Sequence, residues 1–563
     1  MPETQDYWFL DVAAVRIQTW LARSQRVRYR RGASFRLAEV TSEQKITEVL
    51  QQSELAPLVE VSPEAGAISG VVSMRFAAGD LTDDQAHTLA LRAACAVSRA
   101  IREVFPALPL TASLGRADYY VKAYDPMHAA PPLLDLPAQG EEGFAARPCG
   151  MCRSARAKFA RVTLVRDDAT DLCTDCHSRV EKRGAVGSVA GYSSAVPRSH
   201  LPTSQQGLDQ KLQTATGSKN RYPGDFAELA SWMGRAEDDA ATHLATIFAD
   251  GNRIGALMKR VGESLSTNPH AELDRNDIVA TISEATKRAI GWAGQKATER
   301  IDPEALDPDV RSMVPMLVHL ADGDDILVTV PAPLGWATVR ALGEEFGAQL
   351  NLVQGFQELG VEPGDVSLSL GMVFHHARHP IADVVRLAES LLKAAKKQTN
   401  GEVAACAFLD LTSDGESSIG AVEGSPNAPR RALSLEELEG WSKQLDAAAG
   451  IPASHRATLL QLLRETYAEA HRGAVPHEAE TARAALARRV ITLGHRPIID
   501  LVTTVPAEQD PPAPSQLARL REALLADDPA ARNELRLKLD IVRWWDPQSG
   551  LSRMMAAESE ALA

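Results

Sequence analysis

Long apolar runs are missing from this chain of 563 residues. No stretch approaches the roughly 18 to 20 apolar residues that cross a bilayer. The opening "MPETQDYWFLDVAAV" also lacks the basic, apolar, small-residue order of a signal peptide. A membrane role is therefore not expected, and the cytoplasm is the expected compartment. Net positive charge is missing too: at −14 the chain offers no general attraction to nucleic acid, so any such contact must use local basic patches. One patch is defined by an absence of its own. From Val12 to Ala38 there is no acidic residue, while Arg16, Arg23, Arg26, Arg28, Arg30, Arg31 and Arg36 all fall in that window. It reads either as a solvated helix face with a loop or as a docking surface.

Cysteine is scarce, at six residues, and one pattern uses four of them. "CGMC" at Cys149 and Cys152 and "CTDC" at Cys173 and Cys176 are two C-x-x-C knuckles, the spacing of a four-thiolate zinc ribbon. Each knuckle turns both sulfurs toward one tetrahedral ion, and "KFARVTLV" between them can supply the ribbon's strands. Four ligands leave no open position, so the zinc is expected to be structural. His177 is an alternative ligand. A redox role is disfavoured, because thioredoxin-type motifs occur singly at a helix start. Cys95 and Cys406 lie in apolar runs and are expected to be buried, unreactive thiols.

What is present has length enough for three or four domains at about 150 residues each. Residues 1–130 contain the strand-like runs "DYWFLDV" and "GVVSMRFAAG" and the helix "DDQAHTLALRAACAVSRAIREVF", an α+β domain. Residues 131–182 hold a Pro-, Gly- and Ala-rich linker and the ribbon, and 183–224 is a polar loop without periodicity. From 225 to 430 the expected element order is β-α-α-β-β-α-β-α-β, with a helix over "PIADVVRLAESLLKAAKK" that has one apolar face; a two-layer sheet with helices on one side follows. Residues 431–563 are helical in pattern.

The two central strands of this region flank "HLADGDDILVTVP", which crowds Asp322, Asp324 and Asp325 around Gly323. Taken alone, an Asp-Gly turn is an ordinary solvated hairpin. The first strand, however, ends in "FADGNRIG", which brings Asp250 to the same end of the sheet. Converging carboxylates repel one another and raise their own pKa values unless cations relieve them. Magnesium, completing its shell with water and phosphate, suits such a cluster and makes it a candidate nucleotide site. Gly323 allows a sharp turn and close approach of phosphate or ribose.

These stretches resemble a known family. "FADGNRIG", "LADGDDILVTV", "SLSLGMVFHHARHP" and "AESLLKAAKK" are similar to the first strand, GGDD hairpin, following strand and lysine-bearing helix of the nucleotide-cyclase palm in the large polymerase-cyclase subunit of type III CRISPR effector complexes, a relative of GGDEF cyclases. "LDVAAVRIQTWLARSQRVRYRRGASFRL" resembles that family's first, catalytically silent palm. The implied fold is an α+β multidomain chain: two ferredoxin-like palms, an intervening zinc ribbon and a C-terminal helical domain. The implied activity is RNA-activated synthesis of cyclic oligoadenylates from ATP.

Carried over by residue, the resemblance implies that Asp250, Asp324 and Asp325 are catalytic and hold Mg2+ or Mn2+. Gly251, Asn252, Gly323 and Ser369 would line the nucleotide, and Lys396, helped by Lys393 or Lys397, would contact a triphosphate. The lysines otherwise read as a solvated helix end. Implied partners are the small helical subunit, the subunit that binds the guide-RNA 5′ end, guide RNA and target RNA. Two departures stand out. Asp322 replaces a glycine of the family pattern, and no histidine-aspartate nuclease segment precedes the first palm, so cleavage of single-stranded DNA is not expected. Alternatives are a scaffold subunit whose palm is disabled by Asp322, and a stand-alone GGDEF-like cyclase. "HHARH" (His375, His376, His379) lacks a carboxylate or cysteine in its short stretch and is not expected to bind metal. "RWWD" at 543–546 reads as packing in the tail or as a partner contact.

Overall fold

The computed structural model describes residues 6–23, 27–65, 70–79, 81–138, 147–153, 155–162, 170–180, 212–214, 220–223, 226–230, 243–267, 275–300, 313–351, 366–412, 432–457, 459–460 and 529–546. Most of the polar loop expected at 183–224 and most of the tail's helical pattern lie outside the described residues.

The chain opens on β1 (Tyr7–Ala14), three helices α1 (Ile17–Ala22), α2 (Val27–Val40) and α3 (Glu43–Gln52), then β2 (Glu60–Val61) and β3 (Val71–Ala77). It continues with α4 (Asp83–Val104), β4 (Leu110–Ala117), α5 (Tyr120–Ala129) and β5 (Leu134–Leu136). The strands lie in the order β2-β3-β1-β4-β5, with β1 antiparallel to both β3 and β4. This is the ferredoxin-like βαββαβ arrangement expected from sequence. Alternation along β1 explains the layers. Trp8, Leu10 and Val12 face the core shared with α1–α4, whereas Phe9 packs with Tyr120, Ala123 and Met127 of α5 on the other face. A capping box starts α4: the Thr82 hydroxyl accepts from Gln85 N–H, and the Gln85 side chain accepts from Thr82 N–H.

The ribbon follows as β6 (Phe159–Val162), β7 (Thr170–Leu172) and α6 (Thr174–Val180). Its helix α6 lies against α2 of the first palm. Trp20 Nε1 donates to Asp175 at 3.1 Å, and the Arg179 guanidinium sits 4.5 Å over the Trp20 ring.

A short helix α7 (Phe226–Ala230) leads to the second palm: β8 (His243–Gly251), α8 (Ile254–Thr267), α9 (Arg275–Glu299), β9 (Leu317–Asp322), β10 (Asp325–Pro331), α10 (Gly335–Asn351), β11 (Leu368–His376), α11 (Ile381–Thr399) and β12 (Ala405–Asp410). The expected β-α-α-β-β-α-β-α-β order is present. Strand β13 (Ala432–Ser434) completes a sheet ordered β13-β12-β11-β8-β10-β9, in which β9-β10-β8-β11 repeats the ferredoxin-like pattern of the first palm.

Two sequence expectations need correction. Strand β9 is the sheet's edge rather than a central strand. Helices also cover both faces, not one. Helices α8, α9 and α10 share a core with Ile247, Val328, Met372 and Phe374, while α11 packs on Leu244, Phe248, Leu327 and Val373, which point the other way. Two covered faces account for the almost uniformly apolar, buried run of β11. Gly371 makes the α11 contact possible, because a Cβ there would run into the Ala388 carbonyl.

Helices α12 (Leu435–Ala449) and α13 (Pro529–Val542) pack together and join the second palm's core through Leu438, Leu445, Leu539 and Ile541. The "RWWD" stretch is packing: Trp544 stacks on Phe374 with centroids 5.6 Å apart and donates to Asp410 at 2.7 Å, and Trp545 donates to Asp446 at 2.8 Å. The two palms meet where Val121 of α5 lies against Gly262 of α8, beside a Lys259–Asp125 pair at 3.0 Å.

Candidate active site and metal centre

The turn between β9 and β10 has two residues, Gly323 and Asp324, closed by the pair Asp322 and Asp325. Gly323 takes φ 59, the left-handed conformation favoured at the first position of such a turn by glycine alone. Its carbonyl accepts the Thr286 hydroxyl at 2.7 Å, so α9 holds the turn from below. That contact could not be read from sequence, since one helical threonine carries no signal of its target.

Because β10 lies next to β8, the turn delivers Asp324 to the end of β8. Its carboxyl is in hydrogen-bond contact with Asp250, and Gly251 lies directly against it, leaving no room for a Cβ. Asp324 is pushed up to about 6, first by burial and then by the charge of Asp250. Asp325 begins β10, one step beyond the Ile326–Ala249 pair, on the same side of the sheet. The structure therefore brings Asp324 to Asp250, with Asp325 opposite Asp250 in the strand register.

Lys396, in the last turns of α11, reaches over the sheet end, forms an ion pair with Asp250 and donates to the Gly251 carbonyl at 3.0 Å. Lys393 and Lys397 are exposed, and Lys393 pairs with Glu389 at 2.8 Å, so neither joins this cluster. Asn252 and Ser369 are buried and bonded to each other: Ser369 Oγ donates to Asn252 Oδ1 at 2.8 Å, and Asn252 Nδ2 donates to Ser367 Oγ at 2.8 Å and to the Val403 carbonyl at 3.2 Å. In this arrangement both brace the end of β8 instead of presenting polar atoms to an open site. Sequence reading missed Ser367 and Thr286 in these supporting roles.

The first palm repeats the local geometry without the acid. Arg16 and Arg253 share a left-handed φ, 54 and 60, each just before a helix that begins with isoleucine. Matching these positions sets Ala13 where the second palm has Asp250.

The ribbon cysteines converge as expected. The ligand atoms of Cys149, Cys152, Cys173 and Cys176 lie within 4.8 Å of one another, and the Cys152–Cys173 sulfurs are 3.9 Å apart. Tetrahedral zinc with bonds of about 2.3 Å spaces its sulfurs by about 3.8 Å, so the cluster fits that ion. Crowding among the sulfurs pushes the Cys173 and Cys176 thiols up, an electrostatic conflict that a cation resolves. His177 stands outside the cluster, stacked on Phe159 at 3.8 Å. Cys406 is buried, but Cys95 is exposed, contrary to expectation, because it sits on the solvent side of α4. His375 is also not a ligand. Its Nε2 bonds Thr246 in a buried chain that continues through Thr329 to His319, and burial lowers its pKa to about 4.

Residues 243–404 match the family model described as Cas10/Cmr2, second palm domain. No curated protein matches the chain. Among solved structures, a Csm1–Csm4 cassette in complex with cA4 is 12% identical, the alignment covering 96% of this chain and 70% of that one at a TM-score of 0.48. The cassette in complex with AMPPNP is 11% identical over 95% and 70%, at 0.46. Csm1 from T. onnurineus is 12% identical over 95% and 70%, at 0.43. No helix among the described residues is long and apolar enough to cross a membrane.

Proposed function

We propose, from the premise that residues 243–404 are a Cas10/Cmr2 second palm domain, that this chain is the large subunit of a type III CRISPR effector complex and makes cyclic oligoadenylates from ATP when target RNA is bound. The observation that carries the reading is the meeting of Asp250, Asp324 and Lys396 at one end of the sheet. Two carboxylates in contact, one of them with a raised pKa, form a site poised for cations.

In this reading Asp250 and Asp324 would hold divalent ions, with Asp325 beside them. When bound, such ions would lower the pKa of an attacking hydroxyl and offset charge on a departing pyrophosphate. The 3′-hydroxyl of one ATP would attack the α-phosphorus of another, losing its proton to water as the P–O bond forms and the bond to pyrophosphate breaks. Repetition and a final intramolecular attack close the ring. Lys396 exchanges Asp250 for a phosphate oxygen, following the moving charge as a flexible cation can. The Asn252–Ser369–Ser367 bonds and the Thr286 tether keep strand end and turn in register, so that the carboxylates are positioned before substrate arrives. Ala13 leaves the first palm without the corresponding acid, and we assign it a silent, supporting role.

The Csm1–Csm4 cassettes are assemblies of Csm1 with a second subunit. By analogy, this chain would assemble with other effector subunits, guide RNA and target RNA, and its ribbon would hold structural zinc. The test is to incubate the purified complex with labelled ATP and magnesium, with and without matching target RNA. Target-dependent cyclic product that disappears in an Asp324→Ala, Asp325→Ala double variant supports the cyclase. A complex that binds target yet makes no product is a scaffold with a disabled palm, the outcome Asp322 would explain.

A further inference from the structure

We infer that Arg30 marks a phosphate-binding site at the junction of the first palm, the ribbon and the edge strand β9. Arg30 lies within α2, which packs against α6 on one side and β9 on another. Only 4% of the residue is exposed, and both terminal guanidinium nitrogens are buried without a hydrogen-bond partner. A buried charge of this kind is strongly disfavoured unless something neutralises it.

The surrounding groups are already engaged. Arg179 of α6 is buried beside it, with Nε and Nη2 on Asp175 Oδ2 at 3.1 and 2.9 Å and further bonds to the carbonyls of Leu21 and Trp20 at 3.3 and 2.9 Å. The other oxygen of Asp175 accepts the Trp20 indole. Asp175 is thus taken up by Arg179 and Trp20 and makes no hydrogen bond to Arg30. Burial and Arg179 together lower the pKa of Arg30 to about 10, still far above neutrality, so deprotonation does not relieve it. Local sequence offers no acid, since none occurs from Val12 to Ala38.

Among the described residues no acidic side chain pairs with Arg30, and in this proposal the anion comes from another molecule. Arginine's planar fork suits a phosphate, which it can engage through two parallel hydrogen bonds. Seven arginines lie between Val12 and Ala38 in a chain that is otherwise acidic, so this segment is where a phosphate is attracted. Arg36 fixes α2 on the ribbon through a 2.6 Å bond to the Ser178 carbonyl, which sets Arg30 firmly in place. The site stands whether or not the second palm synthesises anything.

The experiment uses the full chain and three probes: inorganic phosphate, ATP without magnesium, and a labelled single-stranded RNA. Phosphate is expected to raise the unfolding temperature of the wild-type chain at constant ionic strength, and not that of Arg30→Met. A roughly tenfold weaker affinity of Arg30→Met for RNA alone, with the salt slope reduced by about one, identifies an RNA backbone phosphate as the occupant. The same loss for ATP alone identifies a nucleotide. Arg30→Lys keeps the charge without the fork; it should bind with intermediate affinity, and it carries the comparison if the methionine variant fails to fold. Equal responses of wild type and variants to every probe, or no response of the wild-type chain to any, overturn the site.

Discussion

Asp324→Asn is expected to stabilise the metal-free chain near neutral pH while removing its response to magnesium. Asp324 is raised from 3.8 to about 6, mainly by burial and then by Asp250. A rise of that size corresponds to about 3 kcal/mol. The Lys396 charge offsets part of the repulsion, so about 1 to 2 kcal/mol is the expected gain. The sign follows from proton linkage. Below about pH 4 the carboxyl is protonated folded and unfolded alike, and no penalty exists. Between about 4 and 6 the folded chain keeps a proton that the unfolded chain releases, so stability falls as pH rises, and the penalty is constant above that window. Asparagine keeps the shape and abolishes the titration. Urea unfolding followed by circular dichroism across this range should show the wild-type decline and a flatter profile for the variant. Magnesium should stabilise only the wild type, by binding the folded state. A variant less stable than wild type near neutrality, or one that keeps the wild-type slope, would refute the idea that repulsion at Asp324 is stored in the fold.

Gly371→Ala should cost about 1 to 3 kcal/mol or prevent folding, because its methyl meets α11 backbone that cannot move aside; soluble yield and urea midpoint measure it. Trp544→Ala removes the stack on Phe374 and the bond to Asp410, and about 2 to 3 kcal/mol is expected, below the cost of about 3 to 5 for a core tryptophan; limited proteolysis should then cut near α13 first. Metal analysis of the full chain should find one zinc, and Cys173→Ser should lose it together with the protection of α6 from hydrogen exchange.

The parts of the fold visible in sequence were those carried by short-range pattern. Alternation and helical periodicity placed β8 to β12, and the Gly323 turn and the two cysteine knuckles could be read directly. The side of the sheet that α11 covers could not. Helical periodicity marks an apolar face but not its partner, and the glycine that admits the helix is one residue in a long apolar strand. Cys95 was misjudged for a related reason: an alanine-rich helix is apolar on more sides than it buries. In the site, the meeting of Asp250 and Asp324 was legible because the element order sets the end of β8 and the Gly323 hairpin at the same end of the sheet. The bracing role of Asn252 and Ser369 was not, because it depends on which way each side chain turns across β8 and β11.

The ion pair between Lys396 and Asp250 gives the site a built-in counterion. Without metal, two touching carboxylates leave the lysine as the cation available to Asp250, and it takes the place at that oxygen that a divalent ion would need. Binding a metal therefore means displacing Lys396, whereas binding ATP gives the displaced ammonium a phosphate to neutralise. The two ligands should accordingly respond in opposite directions to loss of the lysine. Lys396→Ala is expected to tighten binding of magnesium or manganese alone by a few-fold, about 1 kcal/mol for a half-exposed pair. It should weaken magnesium–ATP by roughly tenfold, the value of a charge-assisted contact. Calorimetric titrations of the same preparation measure both. A lysine that only supports the fold would weaken both ligands together, and that result would remove Lys396 from the phosphate-handling role and leave the site to its carboxylates.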